Sequence, residues 1–222
     1  MSQQFVREII AAVPQTGAFQ LGTFKLKHHE TRPDAPLSPF YINLRRLRSA
    51  ELLSKAATVL AELAEGLSYD YFSDVPTAAT PYVSIMSVRV WVPMVSTRRE
   101  PKGYGADEEI DGVYEPGKVA LLVDDIITEA TSKLIAIEKL ERHGLKVTDA
   151  IVLLDRQQGG GEQLAAADVT LRSAFTADDL FEYMKSAGSI SHEALELCEK
   201  YRAGALQAGW EKDVKEGWDR VI

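Results

Sequence analysis

Residues 118–133, Lys-Val-Ala-Leu-Leu-Val-Asp-Asp-Ile-Ile-Thr-Glu-Ala-Thr-Ser-Lys, restrict what this chain can fold into more than any other stretch. They follow a turn at Pro116 and Gly117 and open on an aliphatic run with no polar alternation. Such a run reads as a strand buried on both faces, and strands of that kind belong to parallel sheets covered by helices. The run ends in two adjacent carboxylates, Asp124 and Asp125. A hydroxyl-rich loop over 128–132 follows, and Leu134, Ile135, Ile137 and Leu140 then keep helical spacing as far as Gly144, a C-terminal cap. In an open α/β sheet the ligand sits at the carboxyl ends of strands. A loop at a helix N-terminus offers free N–H groups and the positive end of a dipole to an anion. Carboxylates beside it suit the hydroxyls of a sugar, or a metal ion. The chemistry implied is that of a sugar phosphate.

The rest of the chain supplies matching units. Phe5, Val6, Ile9, Ile10 and Val13 lie on one face of a helix stopped by Pro14. Short strands within 17–26, a polar loop over 28–36 and a strand over 38–44 come next. An amphipathic helix spans 50–63 and a short strand 69–75, before a turn over 76–81 that leads into a helix ending near Val88. A strand over 91–96 precedes a charged, glycine-bearing loop over 97–112. Beyond the central unit, a buried strand over 147–154 runs into Asp155 and Arg156 and is broken by Gly159, Gly160 and Gly161. A helix from Glu162, a strand over 169–174 and a helix over 177–185 follow. Residues 191–222 read as two helices broken near Gly204, with Trp210, Val214, Trp218 and Val221 on one face. Strands alternate with helices from 50 to 175, so the class is α/β with a mainly parallel central sheet flanked by helices.

Composition matters in three places. A length of 222 residues predicts a single domain. The net charge of −8 argues against general nucleic-acid binding and requires any anion site to concentrate its cations locally. Arg98, Arg99 and Lys102 do so within five residues, between Thr97 and Gly105. One cysteine, Cys198, excludes an intramolecular disulfide and fits a reducing compartment; with neither a signal peptide nor a membrane-length apolar run, the cytoplasm is expected. No His, Cys or carboxylate spacing suggests a metal cage, and no nucleophile–base pair is legible.

Residues 118–133 resemble the signature of the type I phosphoribosyltransferases. Within that group, Leu-Leu-Asp-Arg-Gln-Gln-Gly-Gly over 153–160, with Lys-Val-Thr-Asp-Ala-Ile-Val over 146–152 ahead of it, resembles the post-strand motif of orotate phosphoribosyltransferases. The resemblance runs from about residue 17 to 185. It implies a single phosphoribosyltransferase domain over 1–222, with a small N-terminal hood within 1–48 and a C-terminal helical extension over 188–222. It also implies a reaction of pyrimidine biosynthesis: orotate and phosphoribosyl pyrophosphate give orotidine 5′-monophosphate and pyrophosphate, with Mg2+ carried on the pyrophosphate.

The residues are carried over by motif. Asp124 and Asp125 hold the ribose hydroxyls, Asp125 also as a catalytic candidate, and Thr128, Glu129, Ala130, Thr131 and Ser132 cradle the 5′-phosphate. Pro76 and Thr77 belong to a pyrophosphate loop over 73–79. Arg98, Arg99, Lys102 and Tyr104 form a lid, with Lys102 the catalytic cation nearest the leaving group. Lys27, Phe40 and Tyr41 in the hood, with Thr128 and Arg156, serve orotate. The family resemblance further implies a homodimer in which the lid reaches the neighbouring subunit's site.

The sequence departs from the family pattern at Asp74 and Ala130, each in place of a Gly, at Glu129 in place of a small or hydroxyl residue, and at Gln157 in place of Glu. A carboxylate ~4 Å from a phosphate charge would cost about 4 kcal/mol at an effective dielectric near 20. Two acids in two phosphate loops therefore keep open a weakened enzyme, or a non-catalytic relative that binds a phosphoribosyl ligand. A phosphoribosyltransferase for another base is a third reading. The lid cations and Arg156 favour the orotate enzyme.

Overall fold

The computed structural model describes residues 2–30, 32–98, 109–214 and 218–219, without the side chains of Lys27 and His28. Eight strands and seven helices are described. They are α1 (Gln3–Gln15), β1 (Phe19–Phe24), β2 (Ser38–Ile42), α2 (Ala50–Leu63), β3 (Tyr71–Asp74), α3 (Thr80–Val90), β4 (Met94–Thr97) and β5 (Ile110–Asp111), then β6 (Ala120–Ile127), α4 (Thr131–Arg142), β7 (Asp149–Asp155), α5 (Gly160–Ala165), β8 (Thr170–Thr176), α6 (Ala177–Ser186) and α7 (His192–Arg202).

The chain divides into two compact units: residues 1–9 with 48–177, and residues 10–47 with 178–222. The first unit is built on a six-stranded sheet in the order β5-β4-β3-β6-β7-β8. Every neighbouring pair in it is parallel except β4 with β5. The chain leaves β3 towards β4 on one side and returns to β6 on the other. The carboxyl ends of β3 and β6 therefore flank a topological switch point, where ligands of such sheets bind.

The local chemistry explains the elements. Ser49 caps α2 by accepting from Leu52 N, so the helix begins at Ala50. The aliphatic run of β6 is buried on both faces, as parallel pairing with both β3 and β7 requires. Ala120 and Leu122 pack with Ala136, Ile137 and Leu140 of α4 in one apolar cluster that also takes in Val152 of β7. Alternation along the strand places Asp124 on that same face and Asp125 on the opposite one. The strand runs two residues beyond the acids, to Ile127, so the pair lies inside the strand end rather than closing it.

Residues 10–47 and 178–222, read from the sequence as a hood and a separate extension, share one compact unit. Its two-stranded sheet pairs β1 antiparallel with β2. Phe40, an orotate candidate, is fully buried there. Its ring stacks on Phe19 at 5.7 Å and meets Phe181 and Tyr201 edge-on at 5.5 and 6.1 Å. Tyr41, the next residue, is 38% exposed and lies beside Phe24. Among the described residues after α7, a 3₁₀ turn covers Trp210–Lys212; residues 215–217 and 220–222, over which the second C-terminal helix is expected to run, lie outside the described residues. Trp210 meets Trp218 edge-on and donates from Nε1 to the Leu37 carbonyl at 2.8 Å. Pro14 sits in the last turn of α1, which runs one residue past it to Gln15.

Candidate active site

Three loops leave the carboxyl edge of the sheet side by side: 75–79 after β3, 128–130 after β6 and 156–159 after β7. Asp124 and Asp125 are each 5% exposed. Asp124 Oδ1 accepts from the Asp125 backbone N–H at 2.8 Å, and its Oδ2 lies 2.5 Å from Lys133 Nζ. Lys133, in the first turn of α4, is itself 4% exposed and also donates to the Ile126 carbonyl. On the other face, Tyr82 of α3 is buried. Burial, with the Asp125 carboxylate nearby, holds its hydroxyl well above the usual phenol range, while Arg48 pulls the other way. Arg48 also donates to the Thr77 carbonyl at 3.4 Å.

The loop after β6 is pinned from two sides. The Arg156 N–H donates to the Ile127 carbonyl at 2.9 Å, and the Ala130 N–H donates to Gln163 Oε1 at 2.7 Å. Gly160 lies so close beneath that a Cβ there would stand 2.5 Å from Ile127 Cγ1 and 2.7 Å from the Thr128 carbonyl oxygen. Gly160→Ala is therefore expected to cost about 2 kcal/mol by overpacking and to displace the 128–130 loop. A thermal melt beside a phosphoribosyl pyrophosphate titration reads both effects, and a wild-type melt would contradict it.

Two departures from the family pattern find a place. Ala130 has φ −82°, so no glycine is needed there, and α4 starts after it with no side-chain cap. Thr131 and Ser132 open that first turn, and N–H groups at a helix N-terminus suit an anion. Asp74 is fully buried and accepts a hydrogen bond from the Thr80 hydroxyl at the start of α3. Glu129 is half-buried. Thr77 is exposed and Pro76 half-buried, joined by a cis peptide bond. Arg156 is 3% exposed, at the end of β7, where Asp155 Oδ1 accepts from the Gln157 N–H at 2.7 Å.

The base of the expected lid is a hairpin stem: β4 and β5 pair antiparallel through Ser96 with Asp111 and Thr97 with Ile110. Arg98, expected at pyrophosphate, grips Asp111 with its fork, Nε donating to Oδ2 at 2.9 Å. Lys139 of α4 donates to the Arg98 carbonyl at 2.5 Å, and Arg142 and His143 engage Glu109. Partial burial alone would raise the Glu109 carboxyl, but the Arg142 and His143 hydrogen bonds outweigh it and hold the carboxyl below its usual range. Helix α4 thus follows the 128–130 loop at its N-terminus and holds Arg98 and Glu109, beside the β4–β5 stem, near its C-terminus. Arg99, Lys102 and Tyr104 lie outside the described residues, as does the Lys27 side chain.

Sequence reasoning missed Lys133, Gln163, Arg48 and Tyr82. Only Lys133 left a signal: a cation in a first helical turn, where the dipole favours acids.

A mainly parallel sheet with two buried acids at its switch point, above a loop that opens a helix, defines a type I phosphoribosyltransferase fold. No family model matches the chain. The orotate phosphoribosyltransferase of Caenorhabditis elegans is 36% identical over 182 residues, covering 81% of this chain and 78% of that protein. The uridine 5′-monophosphate synthase of Bos taurus is 32% identical over 196 residues, 87% of this chain, which spans only 40% of the bovine protein. The crystal structure of orotate phosphoribosyltransferase from Aeropyrum pernix matches with a TM-score of 0.68 at 27% identity, over 80% of this chain and 99% of that one. The chain belongs to the orotate phosphoribosyltransferase family.

Proposed function

We propose that the chain transfers a 5-phosphoribosyl group from phosphoribosyl pyrophosphate to orotate. The C1′–oxygen bond to pyrophosphate breaks, a C1′–nitrogen bond to the pyrimidine forms as that nitrogen gives up its proton, and pyrophosphate departs with both electrons of the broken bond, the proton passing to it or to water. The observation that carries this reading is the convergence of Asp124, Asp125, the 128–130 loop and buried Arg156 at one sheet edge.

A positively charged ribosyl centre needs positioning and charge stabilisation more than covalent help. Asp124 and Asp125 accept from the ribose hydroxyls. The N–H groups of 130–132, with the Thr128, Thr131 and Ser132 hydroxyls, hold the 5′-phosphate, which takes the place of the Gln163 carboxamide at Ala130. Glu129 contributes its N–H and turns its carboxylate outward. Pro76 and Thr77 line the pyrophosphate loop, and Arg48, already against Thr77, joins them. Arg98, once released from Asp111, acts with Arg99, Lys102 and Tyr104 on the leaving group.

Among the described residues no group of three or more His, Cys, Asp or Glu could hold a metal ion. Mg2+ would arrive on the pyrophosphate oxygens as part of the substrate and neutralise them. Tyr41, rather than the buried Phe40, offers an aromatic face to the pyrimidine, and Lys27 serves the base or the phosphate, as the family resemblance implies. No helix among the described residues is long and apolar enough to cross a membrane. The single, buried Cys198 suits the cytoplasm. Val88, Val90 and Trp91, exposed by 71, 41 and 88%, form an apolar surface at the end of α3 that suits a homodimer.

Arg156 tests the choice of base. Its planar fork suits the orotate carboxylate. Arg156→Ala is expected to raise the KM for orotate about a hundredfold, the size of one lost charge-assisted pair, while the Kd for phosphoribosyl pyrophosphate stays within about threefold. Loss of phosphoribosyl pyrophosphate binding with an unchanged KM for orotate would place Arg156 on the other substrate.

A further inference from the structure

A lysine in the first turn of α4 runs against the helix dipole, and that turn contains no acid to offset it. An exposed lysine there would be a small electrostatic defect. Lys133 instead folds back under the strand end and is almost wholly buried, which lysine rarely is without a partner. Its Nζ bridges Asp124 Oδ2 at 2.5 Å and the Ile126 carbonyl. The other carboxylate oxygen of Asp124 is fixed by the Asp125 N–H at 2.8 Å. Asp124 is therefore clamped at both oxygens, one clamp coming from its own strand and one from the helix that opens at the phosphate loop.

We infer that Lys133 is a positioning residue of the ribose site: its ammonium locks the Asp124 carboxylate in one orientation and couples it to the start of α4, so that the ribose-hydroxyl acceptor and the phosphate loop keep a fixed spacing. This rests on the phosphoribosyl pyrophosphate reading given above. Lys133 touches no substrate and acts through Asp124. Two buried acids at one strand end would otherwise both repel the anionic substrate; the ammonium offsets one of these charges inside the site. Each oxygen of Asp124 keeps lone-pair capacity for a hydroxyl.

The test is calorimetric titration of the full chain with Mg2+-loaded phosphoribosyl pyrophosphate, which needs no turnover. Lys133→Met is expected to weaken Kd about tenfold or more, and Lys133→Arg to restore it to within about threefold of wild type. A merely structural lysine would lower the melting temperature and the fraction of binding-competent protein while leaving Kd unchanged, and that result overturns the proposal. Because Lys133→Met strands a buried carboxylate, the cycle is completed with Asp124→Asn alone and with both changes together, the double variant carrying no orphaned charge. With Asp124→Asn already present, Lys133→Met is expected to add nothing to Kd; a further loss beyond about threefold contradicts action through Asp124. Wild-type protein that binds no phosphoribosyl pyrophosphate overturns the parent reading and the proposal together. Wild-type binding with an indifferent Lys133→Met overturns the proposal alone.

Discussion

Lys102→Ala is expected to lower kcat for orotate ribosylation about a thousandfold, roughly 4 kcal/mol of transition-state stabilisation, with no change in melting temperature. Charge accumulates on the pyrophosphate as its bond to C1′ breaks, and a cation that meets it there acts in the transition state more than in the ground state. Arg98, Arg99 and Lys102 are the basic residues between the end of β4 and Glu109 in a chain of net charge −8. Arg98 is held by Asp111 on the stem, so Arg99 and Lys102 are the cations left to the loop itself. The stem is tied to α4 through Lys139, Arg142 and His143, contacts that a change at Lys102 does not remove. Steady-state kinetics with a parallel melt separates the effects. A kcat within about threefold of wild type would move the leaving-group cation elsewhere, with Arg48 beside Thr77 the next residue to test.

Phe40→Ala is expected to cost about 4 kcal/mol of stability, within the range for deleting a buried aromatic ring. The ring is fully buried and touches Phe19, Phe181 and Tyr201, two of them more than a hundred residues away in sequence. Removing it opens a cavity between β1, β2, α6 and α7. Denaturant unfolding reads the loss, and the folded fraction should keep its KM for orotate. A rise in KM with an unchanged unfolding midpoint would return Phe40 to the role that the motif suggests. Tyr41→Ala should show the opposite split, with orotate KM affected and stability nearly unchanged, because its ring is partly exposed.

These two residues also mark what the sequence can carry. Local signals were decisive where local physics is: the aliphatic run of β6, the Ser49 cap and Ala50–Leu63 helix, and the glycines that break the chain after β7. The acid pair, its loop and Arg156 were legible because motif and strand-end position coincide. Phe40 and Tyr41 were not separable, since alternation says that they face opposite ways but not which way is inward. That choice is made by α6 and α7, far along the chain. At the start of the expected C-terminal helix, tertiary contact outweighs periodicity: the Trp210 indole bonds to Leu37, and a 3₁₀ turn covers Trp210–Lys212. Lys133 was visible only as a misplaced charge, and its meaning appears once Asp124 is found beneath it. Asp74 looked like an acid aimed at pyrophosphate; its burial and the hydrogen bond it accepts from the Thr80 hydroxyl were not legible in the sequence.

The most direct measurement mixes the purified chain with orotate, phosphoribosyl pyrophosphate and Mg2+, and follows the loss of orotate absorbance together with pyrophosphate release. Orotate consumed in equal proportion to pyrophosphate released, and dependent on both substrates, is the predicted result. Phosphoribosyl pyrophosphate bound tightly with no loss of orotate, or consumed only with a different base, would contradict it.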